Sequence, residues 1–101
     1  MALKAAFIFV APAADANKHR SIVETQEVTL ISVGVADYAS AEAAAKALVD
    51  EGVVALELCG GFGVEGTARI KRAVGDKAAV GVVRFDIHPG IGNQSGDALF
   101  G

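Results

Sequence analysis

The sequence predicts an α/β fold: a small parallel sheet of about four strands with alternating helices in the order βαβαβαβ, as in a flavodoxin-like or Rossmann-like fragment or a half-barrel completed by another copy. Three observations carry this. Short apolar runs recur at residues 4–11, 28–35, 53–59 and 78–85 without the polar alternation of a half-solvated strand. Segments with helical character lie between them, and the connections are short. Parallel neighbours cannot be joined by hairpins, so alternation of this kind implies right-handed crossovers.

Lys4 to Ala11, with Phe7, Ile8, Phe9 and Val10 at its centre, reads as a strand covered on both faces and ended by Pro12. Asp15 is placed to cap a short helix running through Glu24, with Ile22 and Val23 on its packed side. Val28 to Val35 is the second strand, where Gly34 marks close approach of another backbone. Asp37 and Ser40 are alternative caps for the best-defined helix, whose Ala41, Ala44, Ala45, Leu48 and Val49 share one face. Glu42 and Lys46 add a pair one turn apart, and Gly52 supplies a left-handed stop. Val53 to Cys59 forms the third strand and Gly60 to Gly63 a turn. Val64 to Val74 is a helix packed through Thr67, Ile70 and Val74 and ended by Gly75. Ala78 to Phe85 is the fourth strand. Asp86 to Gly101 is turn-rich, with Leu99 and Phe100 positioned to dock.

A chain of 101 residues is expected to be one domain, here residues 1–101 with 86–101 as a C-terminal tail. Hydrophobic residues make up 52% against 21% charged, with a mean hydropathy of +0.44. That excess of apolar surface argues against disorder and for a homodimer or larger homo-oligomer. A net charge of −3 gives no basic footprint for nucleic acid or an anionic membrane, and an aromatic content of 6% offers few platforms for bases. Neither partner is expected. A single cysteine fits a reducing compartment. Lys4, the apolar run after it and Ala11-Pro12-Ala13 imitate a signal peptide, but one lysine and so short a core suit a first strand better, and the expected location is cytoplasmic.

In a parallel sheet, the residues that follow the strands gather on one edge. Pro12, Asp15 and Lys18 meet Asp37 and Tyr38 there, together with Cys59, the turn glycines, Arg84, Asp86 and His88. Gly61-Phe62-Gly63-Val64-Glu65-Gly66 spells G-x-G-x-x-G, with Asp86 at the end of the following strand. A dinucleotide is disfavoured, because the motif falls at the third strand, the remaining chain is too short for a second nucleotide half, and Glu65 would sit beside the phosphates. A smaller anion at the N–H groups of Gly60, Gly61, Phe62 and Gly63 fits better. The bland alternative is a tight turn with close packing of helix on strand.

Cys59 is a candidate nucleophile near a helix N-terminus with His88 or Arg84 in reach, set against the inert buried cysteine that is commoner at a strand end. Glu57 interrupts an apolar strand two positions earlier and shares a face with Cys59. Its carboxylate must be paired, protonated or open to a pocket, as a general base or as partner of Arg84. Arg84, Asp86 and His88 alternate along an extended segment: an anion grip, a tautomer-fixing acid and a proton shuttle, or an Arg84–Asp86 ion pair with His88 in a solvated turn. No metal-ligand spacing is present and no cofactor is identified. His19 reads as a surface residue.

The chain resembles a family of small, uncharacterised bacterial proteins of about this length, through Lys4 to Pro12, Lys18-His19-Arg20, Glu57-Leu58-Cys59-Gly60-Gly61-Phe62-Gly63, Gly81-Val82-Val83-Arg84-Phe85-Asp86 and His88-Pro89-Gly90. The resemblance covers nearly the whole chain and implies no activity. It draws Lys18, His19 and Arg20 towards the site.

The expected function is therefore binding of a small anionic ligand at the C-terminal strand edge. Glu57, Cys59 and His88 are the catalytic candidates, and Gly60, Gly61, Phe62, Gly63, Arg84, Asp86 and Lys18 the ligand-binding ones. Acid/base or thiol chemistry would follow if the protein is an enzyme. The alternative is a non-catalytic homo-oligomeric binding or assembly module.

Overall fold

The computed structural model describes residues 2–101. Five strands form one sheet in the order β2-β3-β1-β4-β5: β1 Leu3–Val10, β2 Arg20–Glu24, β3 Val28–Val35, β4 Ala55–Leu58 and β5 Ala79–Val82. The helices are α1 Tyr38–Asp50, α2 Val64–Val74 and a short α3 Gly96–Phe100. The central β1 pairs parallel with β3 and β4, β4 pairs parallel with β5, and β2 runs antiparallel along β3.

The parallel core of the expected fold is present, but strict alternation is not. Residues 15–24 do not form a helix. Asp15 does cap a turn, its carboxylate accepting from the Asn17 N–H at 2.8 Å and its carbonyl from His19 at 2.8 Å, but the coil stops after that turn. Arg20-Ser21-Ile22-Val23-Glu24 then becomes an edge strand, because β-branched Ile22 and Val23 prefer a pleated surface and a tight hairpin follows. Thr25 closes that hairpin: its N–H and hydroxyl both donate to the Val28 carbonyl at 2.8 Å, and its hydroxyl accepts from the Val28 N–H at 2.9 Å. The final strand is also shorter than expected, ending at Val82 rather than Phe85.

The expected α1 and α2 form with their caps. Asp37 accepts from the Ser40 N–H at 2.8 Å, and Gly52 takes φ 101°, the left-handed stop. Both helices pack on one sheet face. Ala6, Ile8, Val10, Ile31, Val33, Val35, Leu56 and Leu58 point to that face and join Ala41, Ala45, Leu48, Ile70 and Val74 in a single core. Arg69 ties the helices together by donating to both Glu42 oxygens at 3.1 and 3.2 Å. Arg20 likewise grips Glu51, fixing β2 to the end of α1. Among the described residues, no helix is long and apolar enough to cross a membrane.

Candidate functional site

The glycine turn between β4 and α2 lies where the sequence places it, but its surroundings come from the C-terminal tail. That tail folds back over the turn so closely that a Cβ on Gly96 would fall 1.7 Å from the Gly61 carbonyl oxygen. Only glycine at position 96 permits this crossing. The segment ends in Phe100, which is buried and 6.5 Å from the Tyr38 ring, while Leu99 stays exposed.

Asp97 fastens the tail. Its Oδ2 accepts from the Glu65 N–H at 2.9 Å, and its Oδ1 from the Gly66 N–H at 3.0 Å and the Tyr38 hydroxyl at 2.8 Å. Tyr38 in turn accepts from the Gly63 N–H at 3.0 Å and stacks on Phe62 at 5.5 Å between ring centroids. Its ring lies where a Cβ on Gly66 would come within 2.4 Å, so that glycine makes room for it. The first turn of α2, which could receive an external anion, thus holds a carboxylate of this same chain.

The electrostatics follow from these contacts. Burial opposes ionisation of Asp97, but the N–H groups of Glu65 and Gly66 and the Tyr38 hydroxyl outweigh it and hold the carboxyl below its ordinary range. Burial drives Tyr38 the other way, well above the ordinary phenol value; the Gly63 N–H opposes that rise and Asp97 adds to it.

Beside this latch are two small cavities. One, about 230 Å³, is lined by Cys59 and His88 together with Val10, Pro12, Ile91 and Phe100. The other, about 250 Å³, lies towards α2 and is lined by Phe62, Gly63, Arg84, Phe85, Asp86 and Ser95. Phe85 and His88 belong to different cavities yet touch, with ring centroids 4.5 Å apart, and both crowd Gly60. In the Cys59 cavity, the sulfur accepts the Gly61 N–H at 3.3 Å. His88 Nδ1 accepts the Gly90 N–H at 2.9 Å, so the neutral ring carries its hydrogen on Nε2 as a donor.

The expected site residues are therefore divided. Cys59, Gly61 and His88 share one cavity, while Phe62, Gly63, Arg84 and Asp86 share the other. Arg84 donates to Asp86 at 2.8 Å with both side chains largely in solvent, the bland pairing foreseen for them. Glu57 is exposed on the sheet face away from the helices and lines neither cavity; Lys18 is exposed in the loop after β1 and lines neither. A larger cavity of about 550 Å³ lies elsewhere, between α1 and that loop. Five of its twelve lining residues are alanines, and its Arg20 and Glu51 neutralise each other. Among the described residues no cluster of three or more His, Cys, Asp or Glu is placed to hold a metal.

The sequence placed Tyr38 on this edge without a role and gave no role to Ser95 or Asp97; of the Leu99-Phe100 pair expected to dock, Phe100 does. The available signal was Ser95-Gly96-Asp97 before a terminal apolar pair, a cap followed by a docking residue. Ser95 does accept from the Asp97 N–H at 3.1 Å, opening α3. A family model described as "Family of unknown function (DUF6506)" matches residues 3–98. No curated protein and no solved structure matches the chain.

Proposed function

The chain belongs to the DUF6506 family of unknown function, which lends it no activity, and we propose from the site itself that it binds a small ligand in the cavity between the end of β1, the glycine turn and the C-terminal tail. The reading rests on one observation: a thiol and an imidazole, Cys59 and His88, line a single small cavity whose other walls are mainly apolar. Cys59 is the thiol contact in this account, and His88 donates a hydrogen bond to the ligand through Nε2–H. His88 Nε2–H is the donor that orients a carbonyl or carboxylate, because the Gly61 and Gly90 N–H groups are already given to Cys59 Sγ and His88 Nδ1.

The α2 N-terminus takes no part, because its Glu65 and Gly66 N–H groups already serve Asp97, and Arg84 lies in the neighbouring cavity paired with Asp86. Glu57 has no part in this cavity. The test is a thermal-shift screen of small carboxylated, phosphorylated and carbonyl metabolites against wild type, Cys59→Ala, His88→Ala and Arg84→Ala. A compound that stabilises wild type but neither Cys59→Ala nor His88→Ala supports the reading. A compound lost only in Arg84→Ala moves the site to the neighbouring cavity, and no stabilising compound counts against a small-ligand site.

A further inference from the structure

We propose that the sheet face opposite α1 and α2 is the contact surface for a second copy of this chain, packed face to face about a two-fold axis parallel to β1. Four of the five strands are parallel, and sheets of that kind are stable with both faces covered. Here the helices cover one. The other presents Phe7 and Phe9 from β1, Leu30 from β3 and Ala55 from β4, all half-buried, with Val23 of β2 59% exposed. These are not the residues of a solvated face.

The size suits a dimer. Five strands about 4.8 Å apart, three side-chain rows deep, offer roughly 500 Å² in flat projection. Side-chain relief brings that into the range of about 600–1,000 Å² per partner that a stable complex buries. Even with Ser32 and Glu57 in it, a face of that size is comparable to the largest patches monomers expose, which often mark contact sites.

The polar residues on this face select the occupant and the axis. In the middle row, Phe7 stands between Ser32 of β3 and Glu57 of β4, with Gly81 of β5 beyond. Among the described residues Glu57 has no ion-pair or side-chain hydrogen-bond partner, and its carboxylate is exposed. A two-fold axis across the strands would set Glu57 against its own copy, a like-charge contact that costs several kcal/mol when desolvated. An axis along β1 instead places each Glu57 opposite the partner's Ser32 hydroxyl, a donor, and lays the two Phe7 rings together at the centre. Gly81, bare of side chain, and Ala55 leave hollows beside that ring. Two such sheets pack about 10 Å apart with strands nearly aligned.

The experiment is sedimentation velocity with native mass spectrometry on the purified chain, from about 1 to 100 µM. Wild type is expected at twice the chain mass of 10.2 kDa. Phe7→Asp is expected at the single-chain mass with unchanged far-UV circular dichroism, whereas Val64→Asp, on the exposed side of α2, stays dimeric. Should Phe7→Asp not fold, the Ser32 pair decides. Ser32→Glu, facing the partner's Glu57, should weaken association at least about tenfold, and Ser32→Lys should not weaken it. A monomeric wild type overturns the proposal. So does a dimer that dissociates in Val64→Asp but not Phe7→Asp, or one that responds to Ser32→Glu and Ser32→Lys alike.

Discussion

The Tyr38 hydroxyl donates to Asp97 Oδ1 at 2.8 Å while accepting the Gly63 N–H at 3.0 Å, so one phenol joins the start of α1, the glycine turn and the C-terminal tail. The contact joins residues 59 positions apart and closes the polar edge of the sheet. Most of what distinguishes this edge from an ordinary strand–turn–helix junction depends on it.

Removing the carboxylate should release the tail. Asp97→Ala deprives the Glu65 and Gly66 N–H groups of their acceptor and Tyr38 of its partner, and should cost about 2 kcal/mol. For a domain of this size that is a fall in melting temperature of roughly 10 °C. Calorimetry checks it, and a change of under about 2 °C would mean that the latch is ornamental.

Tyr38→Phe keeps the ring stacked on Phe62 but leaves the buried Gly63 N–H without an acceptor, an expected loss of about 1–3 kcal/mol. Because Tyr38 and Asp97 share a hydrogen bond, the double variant should lose less than the two single losses combined, by about 1 kcal/mol. Urea titration of the four proteins measures this coupling.

The latch depends on pH in a definite direction. Asp97 is held below its unfolded value despite burial, because three donors favour its ionised form, so it stabilises the fold fully above the unfolded carboxylate range near pH ~4. That stability is lost as pH falls through the depressed native value. Tyr38 is raised by burial, so its contribution is complete below pH ~10 and declines as pH rises beyond it. Melting curves from neutral pH downward should show wild type converging on Asp97→Asn; a constant gap between them would contradict the assignment.

Gly96→Ala tests the crossing of tail and turn. A Cβ 1.7 Å from the Gly61 carbonyl cannot be accommodated by a rotamer change, since the obstacle is backbone. The expected result is a loss of at least about 2 kcal/mol, with faster amide exchange over residues 88–101 and in the first turn of α2 while β1 and β3 stay protected.

What the sequence revealed and what it hid have physical reasons. The α1 helix was legible because its periodic alanines, its Asp37 cap and its Gly52 stop are local signals that agree. The β1, β3 and β4 runs were legible because strands buried in a sheet need continuous apolar stretches. Residues 20–24 were misread because Asp15 really is a cap: the signal was sound for one turn, and the β-branched pair after it had to win over the helix. The split of the expected site arose where strand periodicity could place Arg84 and His88 on one edge but could not show Phe85 and His88 standing between two cavities. The occupant of the α2 N-terminus was invisible for another reason. Asp97 is remote in sequence from Glu65 and Gly66, and a single aspartate in a turn-rich tail carries no mark of the amides it will meet.

The most direct test of the central claim, that the latched tail encloses the Cys59 and His88 cavity, is the rate of Cys59 alkylation by iodoacetamide in the native protein at neutral pH. With Phe100 buried and Ile91 at the cavity wall, Asp97→Ala should speed labelling by a few-fold up to roughly thirtyfold, the factor that about 2 kcal/mol gives to a local opening. Equal rates in wild type and Asp97→Ala, with both proteins folded, would show that the tail does not guard the thiol.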